Sequence, residues 1–352
     1  MLNFALLYKD ETYMLRCLQL AAAAAGNVAP NPMVGAVLVY NGVIIGEGYH
    51  MKYGEPHAEV NCINSVSEEN RHLIKESTLY VSLEPCNHFG KTPPCSDLIV
   101  KNKIPKVVIA CKDSFEKVNG GGIKKLEDAG VKVTQDILKE DALELNKRFF
   151  TFHEKKRPYV ILKWAQSNDK FIAHKNYQPV KITNDLTNRQ VHKWRSEEAA
   201  ILVGTNTALH DDPSLTTRLW QGKNPVRIFI DKNLQIPSGH HLLDNSTATI
   251  VINQIKDEKA GNTIFYKISE EEDVITTVLN LLYQKQLTSL IVEGGTTLLQ
   301  SFIDAGLWDE AIIITNNDLQ LHEGIDAPLL THSALFCEEH ILSDRLQFFK
   351  KS

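Results

Sequence analysis

Residues 78–84, TLYVSLE, run directly into residues 85–95, PCNHFGKTPPC. The first segment is rich in apolar and β-favouring side chains and predicts a buried strand. The second is dense in proline, glycine and polar turn-formers and predicts a loop leaving that strand. Upstream stands His57-Ala58-Glu59, just after Pro56, where a helix is expected to begin. A helix SDLIVKN, a strand KVVIAC, a helix around residues 124–129 and a short strand VKVT (131–134) follow the loop. Strands alternating with helices predict an α/β layered domain.

Working outward, Asp10 is expected to cap a first helix through MLRCLQLAAAAAG, with Gly26 as its stop. Asn41-Gly42 between GAVLVY and VIIGEG predicts a two-residue hairpin, because both turn residues tolerate positive φ. The basic stretch 153–158 (HEKKRP) interrupts the pattern and is read as a linker, dividing the chain into domains 1–150 and 151–352. Beyond it, YVILKWA, AAILVG, VRIFID, ATIVI, TSLIVEGG and AIIIT are candidate strands of a second α/β sheet. Helices are expected between several of them, notably at 185–198 and 273–286.

The 352-residue chain has 43% hydrophobic and 23% charged residues, which excludes a disordered, collagenous or coiled-coil protein. No apolar run suggests a membrane span, and residues 1–10 lack the features of a signal peptide. A net charge of -5 gives no global attraction to nucleic acid. The expectation is a cytoplasmic homo-oligomer acting on a small molecule. Six cysteines are too few for a disulfide scaffold, and Cys17, Cys62 and Cys111 sit among apolar neighbours as core residues.

His57, Cys86 and Cys95 offer one imidazole and two thiolates. A lone His-x-Glu more often belongs to a surface, and two cysteines nine positions apart are more often unrelated. Together, after a buried strand and with prolines before both cysteines, they form a zinc set. Three ligands leave the fourth tetrahedral position for water, the catalytic arrangement. Zinc lowers the pKa of that water to ~7, and Glu59 can move the proton without binding metal. His88 is the rival ligand. Zinc deaminases pair H-x-E with P-C-x-x-C, whereas here eight residues separate the cysteines. The intervening loop could present Asn87, His88 and Lys91 to a substrate, and His50 could reach the same pocket.

Residues 29–35 (APNPMVG), GEGYH, GEPHAEV, SLEPCNHFGKTPPC and Asp113…Val118-Asn119-Gly120-Gly121-Gly122 resemble the bifunctional riboflavin-biosynthesis deaminase–reductase family. There the long interval between cysteines is normal. The resemblance implies a cytidine-deaminase-like three-layer fold up to about residue 147. It implies hydrolytic loss of ammonia from a diamino-pyrimidinone ribosylamino phosphate, with His57, Cys86 and Cys95 on zinc and Glu59 moving protons. Asn31, His50 and Lys91 are implied to hold substrate.

The second half resembles the family's reductase domain, with a dihydrofolate-reductase-like α/β fold that uses NADPH. The matching stretches are Leu162-Lys163…Ala165…Ser167…Asp169, Ile182-Thr183, Arg195, GTNTALHDDPSLTTR (204–218), VRIFID and IVEGGTTLL. IVEGGTTLLQSFI also reads directly as a strand, a glycine turn and a helix start, which aims backbone N–H groups at an anion. A Rossmann G-x-G-x-x-G is absent from the chain. The resemblance assigns Ala165, Thr207, Asp211, Gly294, Gly295, Thr296, Thr297, Leu298, Leu299, Gln300 and Ser301 to NADPH. It assigns Arg195, Leu215, Arg218 and Glu293 to substrate; the two guanidinium forks suit a phosphate. The implied reaction is hydride transfer to C1′ of a ring-opened imine.

This half departs from the family pattern at Lys170, where glycine is usual, at Lys181, where tryptophan is usual, and at Asn316-Asn317-Asp318. Those departures motivate a second reading, a deaminase whose second half serves as a scaffold or dimerisation module. A nucleic-acid deaminase is a third reading, opposed by the acidic balance and the cysteine spacing.

Overall fold

The computed structural model describes residues 3–89, 93–113, 120–178 and 180–352, with side chains from Lys9 onward. The chain divides into two compact units, Met1–Lys156 and Arg157–Ser352.

In the first unit, α1 (Asn3–Ala22) precedes a hairpin of β1 (Gly35–Tyr40) and β2 (Val43–Tyr49). Asn41 and Gly42 take φ of 47° and 83°, as a two-residue turn requires. Then come α2 (Ala58–Asn64), β3 (Thr78–Val81), α3 (Cys95–Lys101), β4 (Lys106–Ile109), α4 (Gly121–Asp128), β5 (Lys132–Thr134), α5 (Lys139–Leu145) and α6 (Lys147–Lys155). The sheet order is β2-β1-β3-β4-β5; β1 is antiparallel to both neighbours, and β3, β4 and β5 are parallel. Successive residues of a strand face opposite sides. Ala36, Leu38, Leu79, Val81, Val107 and Ile109 therefore join Cys62, Ile99 and Ile123 in one core layer. Val37, Val39, Tyr80 and Val108 join Met14, Cys17, Phe149 and Phe150 in the other. This makes the three-layer sandwich, and Cys17, Cys62 and Cys111 are core residues as expected.

Two local expectations are corrected and one is refined. Asp10 lies inside α1 rather than at its start, and its carboxylate accepts the Tyr80 hydroxyl. The strand after Ser77 ends at Val81, because Glu84 turns toward the α4 end of the sheet. The stretch 153–158 begins as helix: α6 buries Phe149, Phe150 and Phe152 and stops at Lys156, in the left-handed region at φ 54°, and the two units divide within the stretch, after Lys156.

The second unit has β6 (Tyr159–Ser167), β7 (Phe171–Ala173), α7 (Asp185–Glu197), β8 (Ala200–Val203), α8 (Thr205–His210), β9 (Val226–Ile230), β10 (Thr249–Asn253), β11 (Glu258–Ala260) and β12 (Thr263–Lys267). These are followed by α9 (Val274–Gln284), β13 (Ser289–Val292), α10 (Thr296–Asp304), β14 (Glu310–Asn316), β15 (Ile325–Asp326), β16 (Ser333–Ile341) and β17 (Asp344–Lys351). A ten-stranded sheet has the order β11-β12-β10-β9-β8-β13-β6-β14-β17-β16. Its strands from β12 to β14 are parallel, and both ends are antiparallel. Because β13 inserts between β6 and β8, chain direction across the sheet reverses there. Ligand crevices of open α/β sheets form at such a point, beyond the strand C-termini. No helix among the described residues is long and apolar enough to cross a membrane.

Candidate active sites

The first site is built where two short helices begin. His57 is the N-cap of α2, and Cys95 opens α3. Cys86 lies on the loop after β3, and its Sγ accepts the backbone N–H of Cys95 at 3.4 Å. His57 Nδ1 stands 3.6 Å from Cys86 Sγ and 3.4 Å from Cys95 Sγ. The three donor atoms lie within 4.8 Å of one another. Two soft thiolates and one imidazole at that spacing fit zinc. His88 does not join this cluster. Hydrogen bonds from Cys95 and His57 hold the Cys86 thiol far below its ordinary range, whereas the paired Cys95 thiol is pushed up.

Glu59 sits in the first turn of α2 and is buried; burial raises its carboxyl pKa, and the nearby Cys86 sulfur adds to this. His50 and Asn31 reach the same wall. His50 Nδ1 lies 3.1 Å from the Pro56 carbonyl and therefore carries the proton; Nε2, 3.1 Å from Asn31 Nδ2, accepts. Burial lowers the His50 pKa and keeps the ring neutral. The His50 and His57 rings meet edge-on with centroids 5.4 Å apart. Lys91, with Val118 and Asn119 of the matching stretch, lies outside the described residues.

Glu84 was not singled out from sequence, yet it organises this side of the site. Its buried carboxylate accepts four backbone N–H groups: Asp113 and Gly120 at 3.3 and 3.0 Å, Gly122 and Ile123 at 2.9 and 3.2 Å. A Cβ on Gly122 would stand 1.9 Å from the Pro85 carbonyl oxygen, so α4 can dock on the cysteine loop only with glycine there. The signal was present in sequence as Glu84-Pro85-Cys86 and Gly120-Gly121-Gly122, but their contact is long-range.

The second site is a cavity of about 920 Å³ at the C-terminal ends of β6, β8, β9 and β13. Ala165, Thr207, Asp211, Gly294, Gly295, Thr296, Thr297, Leu298 and Ser301 all line it, together with Arg195, Leu215 and Glu293. At its floor, a Cβ on Gly294 would meet Leu298 Cδ2 at 3.1 Å and Gly204 N at 3.5 Å, so two strand ends close on each other. One on Gly295 would meet Thr207 Oγ1 at 3.7 Å. The glycine turn leads into α10, whose first N–H groups have no carbonyl partner within the helix and suit an anionic pyrophosphate. This cradle fits a dinucleotide.

Three expected contacts lie elsewhere. Leu299 is fully buried in the core, because it falls on the inward face of α10. Gln300 faces away, bonding Asp304 and the Leu329 backbone. Arg218 is exposed and does not line the cavity, although its charge reaches His192 on α7.

Lys163 is the residue that sequence assignment of roles passed over. Its Nζ donates to Glu293 at 3.0 Å, beside the two-bond fork that Arg195 makes with the same carboxylate. Burial would raise the Glu293 pKa, but Arg195 and Lys163 overcome it and hold the carboxyl well below the usual range. The cavity wall therefore carries two cations around one buried anion. Burial, reinforced by Arg195 and Arg218, lowers the neighbouring His192 to about 4 and keeps it neutral.

The departures from the family pattern are accommodated. Lys181 pairs with Asp185 at 2.6 Å. Asn316 ties the end of β14 to the Ile182 carbonyl at 2.6 Å.

The fold and the two sites define a zinc deaminase joined to a dinucleotide-dependent reductase. Residues 7–111 match the cytidine and deoxycytidylate deaminase zinc-binding region, and residues 158–316 match the RibD C-terminal domain. The chain is 40% identical over 314 residues to the riboflavin biosynthesis protein RibD of Aquifex aeolicus, covering 86% of each chain. It is 34% identical to RibD of Escherichia coli over 322 residues, covering 87% of each. The crystal structure of the Thermotoga maritima deaminase/reductase superposes with a TM-score of 0.90 at 33% identity, covering 98% of this chain and 99% of that one. The chain belongs to the RibD family: it is a bifunctional deaminase and reductase of riboflavin biosynthesis, with a zinc-binding deaminase domain and an NADPH-using reductase domain.

Proposed function

We propose that the first unit removes an amino group from a diaminohydroxyphosphoribosylaminopyrimidine, and that the second reduces the ribosyl side chain of the resulting 5-amino-6-(5-phosphoribosylamino)uracil to ribityl. These are the activities named for the Thermotoga relative. The observation that carries the reading is the buried Glu59 carboxyl set beside the His57, Cys86 and Cys95 donors.

When bound there, zinc supplies the Lewis acid that activates water. Glu59 takes the proton from that water and returns it to the departing nitrogen. The water oxygen bonds to the amino-bearing ring carbon, the exocyclic C–NH2 bond breaks, and ammonia leaves a carbonyl behind. Both nitrogens of His50 are engaged, so His50 serves by holding Asn31 in place against the substrate. Lys91 is assigned to the substrate on the resemblance.

NADPH supplies the hydride in the second unit. Ala165, Thr207, Asp211 and the turn from Gly294 to Thr297, with Leu298 and Ser301, hold the cofactor. Arg195, Leu215, Glu293 and Lys163 face the substrate, and the paired charges orient its polar side chain. Arg218 is assigned to the phosphate on the resemblance. The domain boundary falls after α6. The net charge of -5 supports a small-molecule substrate over nucleic acid. The exposed Leu335 and Phe336 on edge strand β16 support a homo-oligomer, which sedimentation tests. A cytoplasmic location goes with this reading.

The test is to supply the zinc-loaded protein with the diamino-pyrimidinone ribosylamino phosphate and to record ammonia and NADPH oxidation in one sample. Matched release and consumption are expected. Ammonia without NADPH consumption would favour the deaminase-only reading.

A further inference from the structure

His192 is buried on α7, one turn before Arg195 and on the same face of the helix. Burial and the charges of Arg195 and Arg218 keep its ring neutral. A neutral imidazole has one donor and one acceptor nitrogen. Nδ1 is buried and has no hydrogen-bond partner among the described residues. The bond from the ring to the Thr216 carbonyl is therefore made by Nε2, which carries the proton. Arg195 Nη1 reaches that carbonyl only at 3.5 Å, because Nε and Nη2 of the same guanidinium are committed to Glu293 at 2.8 Å. At that length the arginine holds the carbonyl weakly.

Thr216 belongs to the segment between α8 and β9. Its neighbour Leu215 is buried, lines the cavity and takes φ 51°, in the left-handed region. A leucine persists there only where its flanks are fixed. On one side the Ser214 carbonyl accepts Arg227 Nη1 at 3.4 Å. On the other the Thr217 N–H donates to Asn224 Oδ1 at 2.9 Å. Between them the Thr216 carbonyl ties the segment to α7, the helix that carries Arg195. A ring kept for packing alone would not leave a buried acceptor unpaired, since that costs stability. We propose that His192 is a positioning residue for the reduction: its Nε2–H holds the Thr216 carbonyl and so keeps Leu215 at the cavity wall beside the Arg195–Glu293 fork, where the substrate is received. This rests on the substrate assignment of Arg195, Leu215 and Glu293 given above.

The test is steady-state NADPH oxidation with 5-amino-6-(5-phosphoribosylamino)uracil by the full zinc-loaded chain, by His192→Leu and by His192→Gln, whose amide nitrogen can stand where Nε2 stands. Losing one hydrogen bond should raise KM for that substrate about tenfold in His192→Leu. Its kcat and its calorimetric affinity for NADPH should stay within about twofold of wild type. His192→Gln should recover most of the lost KM. The thermal midpoint of His192→Leu should stay close to wild type, because removing the unpaired Nδ1 offsets the lost bond. An unchanged KM in His192→Leu overturns the proposal, and so does an equal rise in both variants. A matching loss of NADPH affinity, or a clearly lowered thermal midpoint in His192→Leu, makes the ring a general support of the domain and overturns it too. Wild-type protein that does not oxidise NADPH with this substrate overturns the substrate assignment, and the proposal with it.

Discussion

Arg195 and Glu293 face each other through a two-bond fork, Nε to Oε1 and Nη2 to Oε2, both at 2.8 Å. With both side chains buried, Arg195→Ala should cost about 3 kcal/mol, by leaving the carboxylate to Lys163 alone. Reduction should fail while ammonia release continues. The Glu293 pKa is held below its unfolded value of about 4.3. Its stabilisation is therefore present above that pH and is lost as pH falls through the folded pKa. Thermal unfolding from about pH 6 to about pH 3 should show a shallower acid decline in Glu293→Gln than in wild type. Parallel declines would remove Glu293 from the acid limb.

Glu59→Gln keeps the donor set and removes the proton carrier. Zinc content should match wild type, while ammonia release falls about 100- to 10,000-fold. Metal analysis and an ammonia assay on one preparation decide it. Lost zinc would make Glu59 a structural support of the metal instead.

Cys86→Ser replaces a thiolate that contacts both other ligands. Zinc and deamination should be lost together. NADPH oxidation with the deaminated substrate should persist, because the second unit has its own core and cavity. Unchanged zinc would refute the ligand assignment.

Glu84→Gln turns an acceptor of four N–H groups into a side chain with a single acceptor oxygen. A loss of roughly 2 kcal/mol is expected. Amide exchange at Gly120, Gly122 and Ile123 should speed up before global unfolding does. Unchanged protection would show that the Pro85–Gly122 contact suffices.

Lys170 occupies a turn position at φ 66°, donating its N–H to Ser167 O at 3.0 Å. A side chain in the left-handed region costs ~1–2 kcal/mol. Glycine's extra unfolded-state freedom offsets about half of it. Lys170→Gly should therefore raise stability by about 0.5–1 kcal/mol and leave NADPH turnover unchanged. A fall in turnover would give the Lys170 charge a part in the reductase.

Elements whose signal is local were legible before the structure. The Asn41-Gly42 turn, α7, α9 and the apolar strands of both sheets follow from periodicity and turn chemistry. The closing hairpin of β16 and β17 was not, because its side chains alternate weakly and much of it is exposed. α6 was hidden behind the basic stretch that ends it, although its Phe149, Phe150 and Phe152 are buried.

The metal set was legible because chemistry restricts it: few arrangements of one histidine, one glutamate and two proline-preceded cysteines do anything else. By itself, then, the sequence determined the α/β plan of both halves, the His57, Cys86 and Cys95 donor group, and the glycine turn of the second cavity. Only the tertiary structure decided what depends on residues far apart in the chain. Glu84 gathers N–H groups of Asp113, Gly120, Gly122 and Ile123, Lys163 and Arg195 share Glu293, and Leu299 turns to the core. Charge pairing and burial are set by which strands become neighbours, and no local pattern encodes that order.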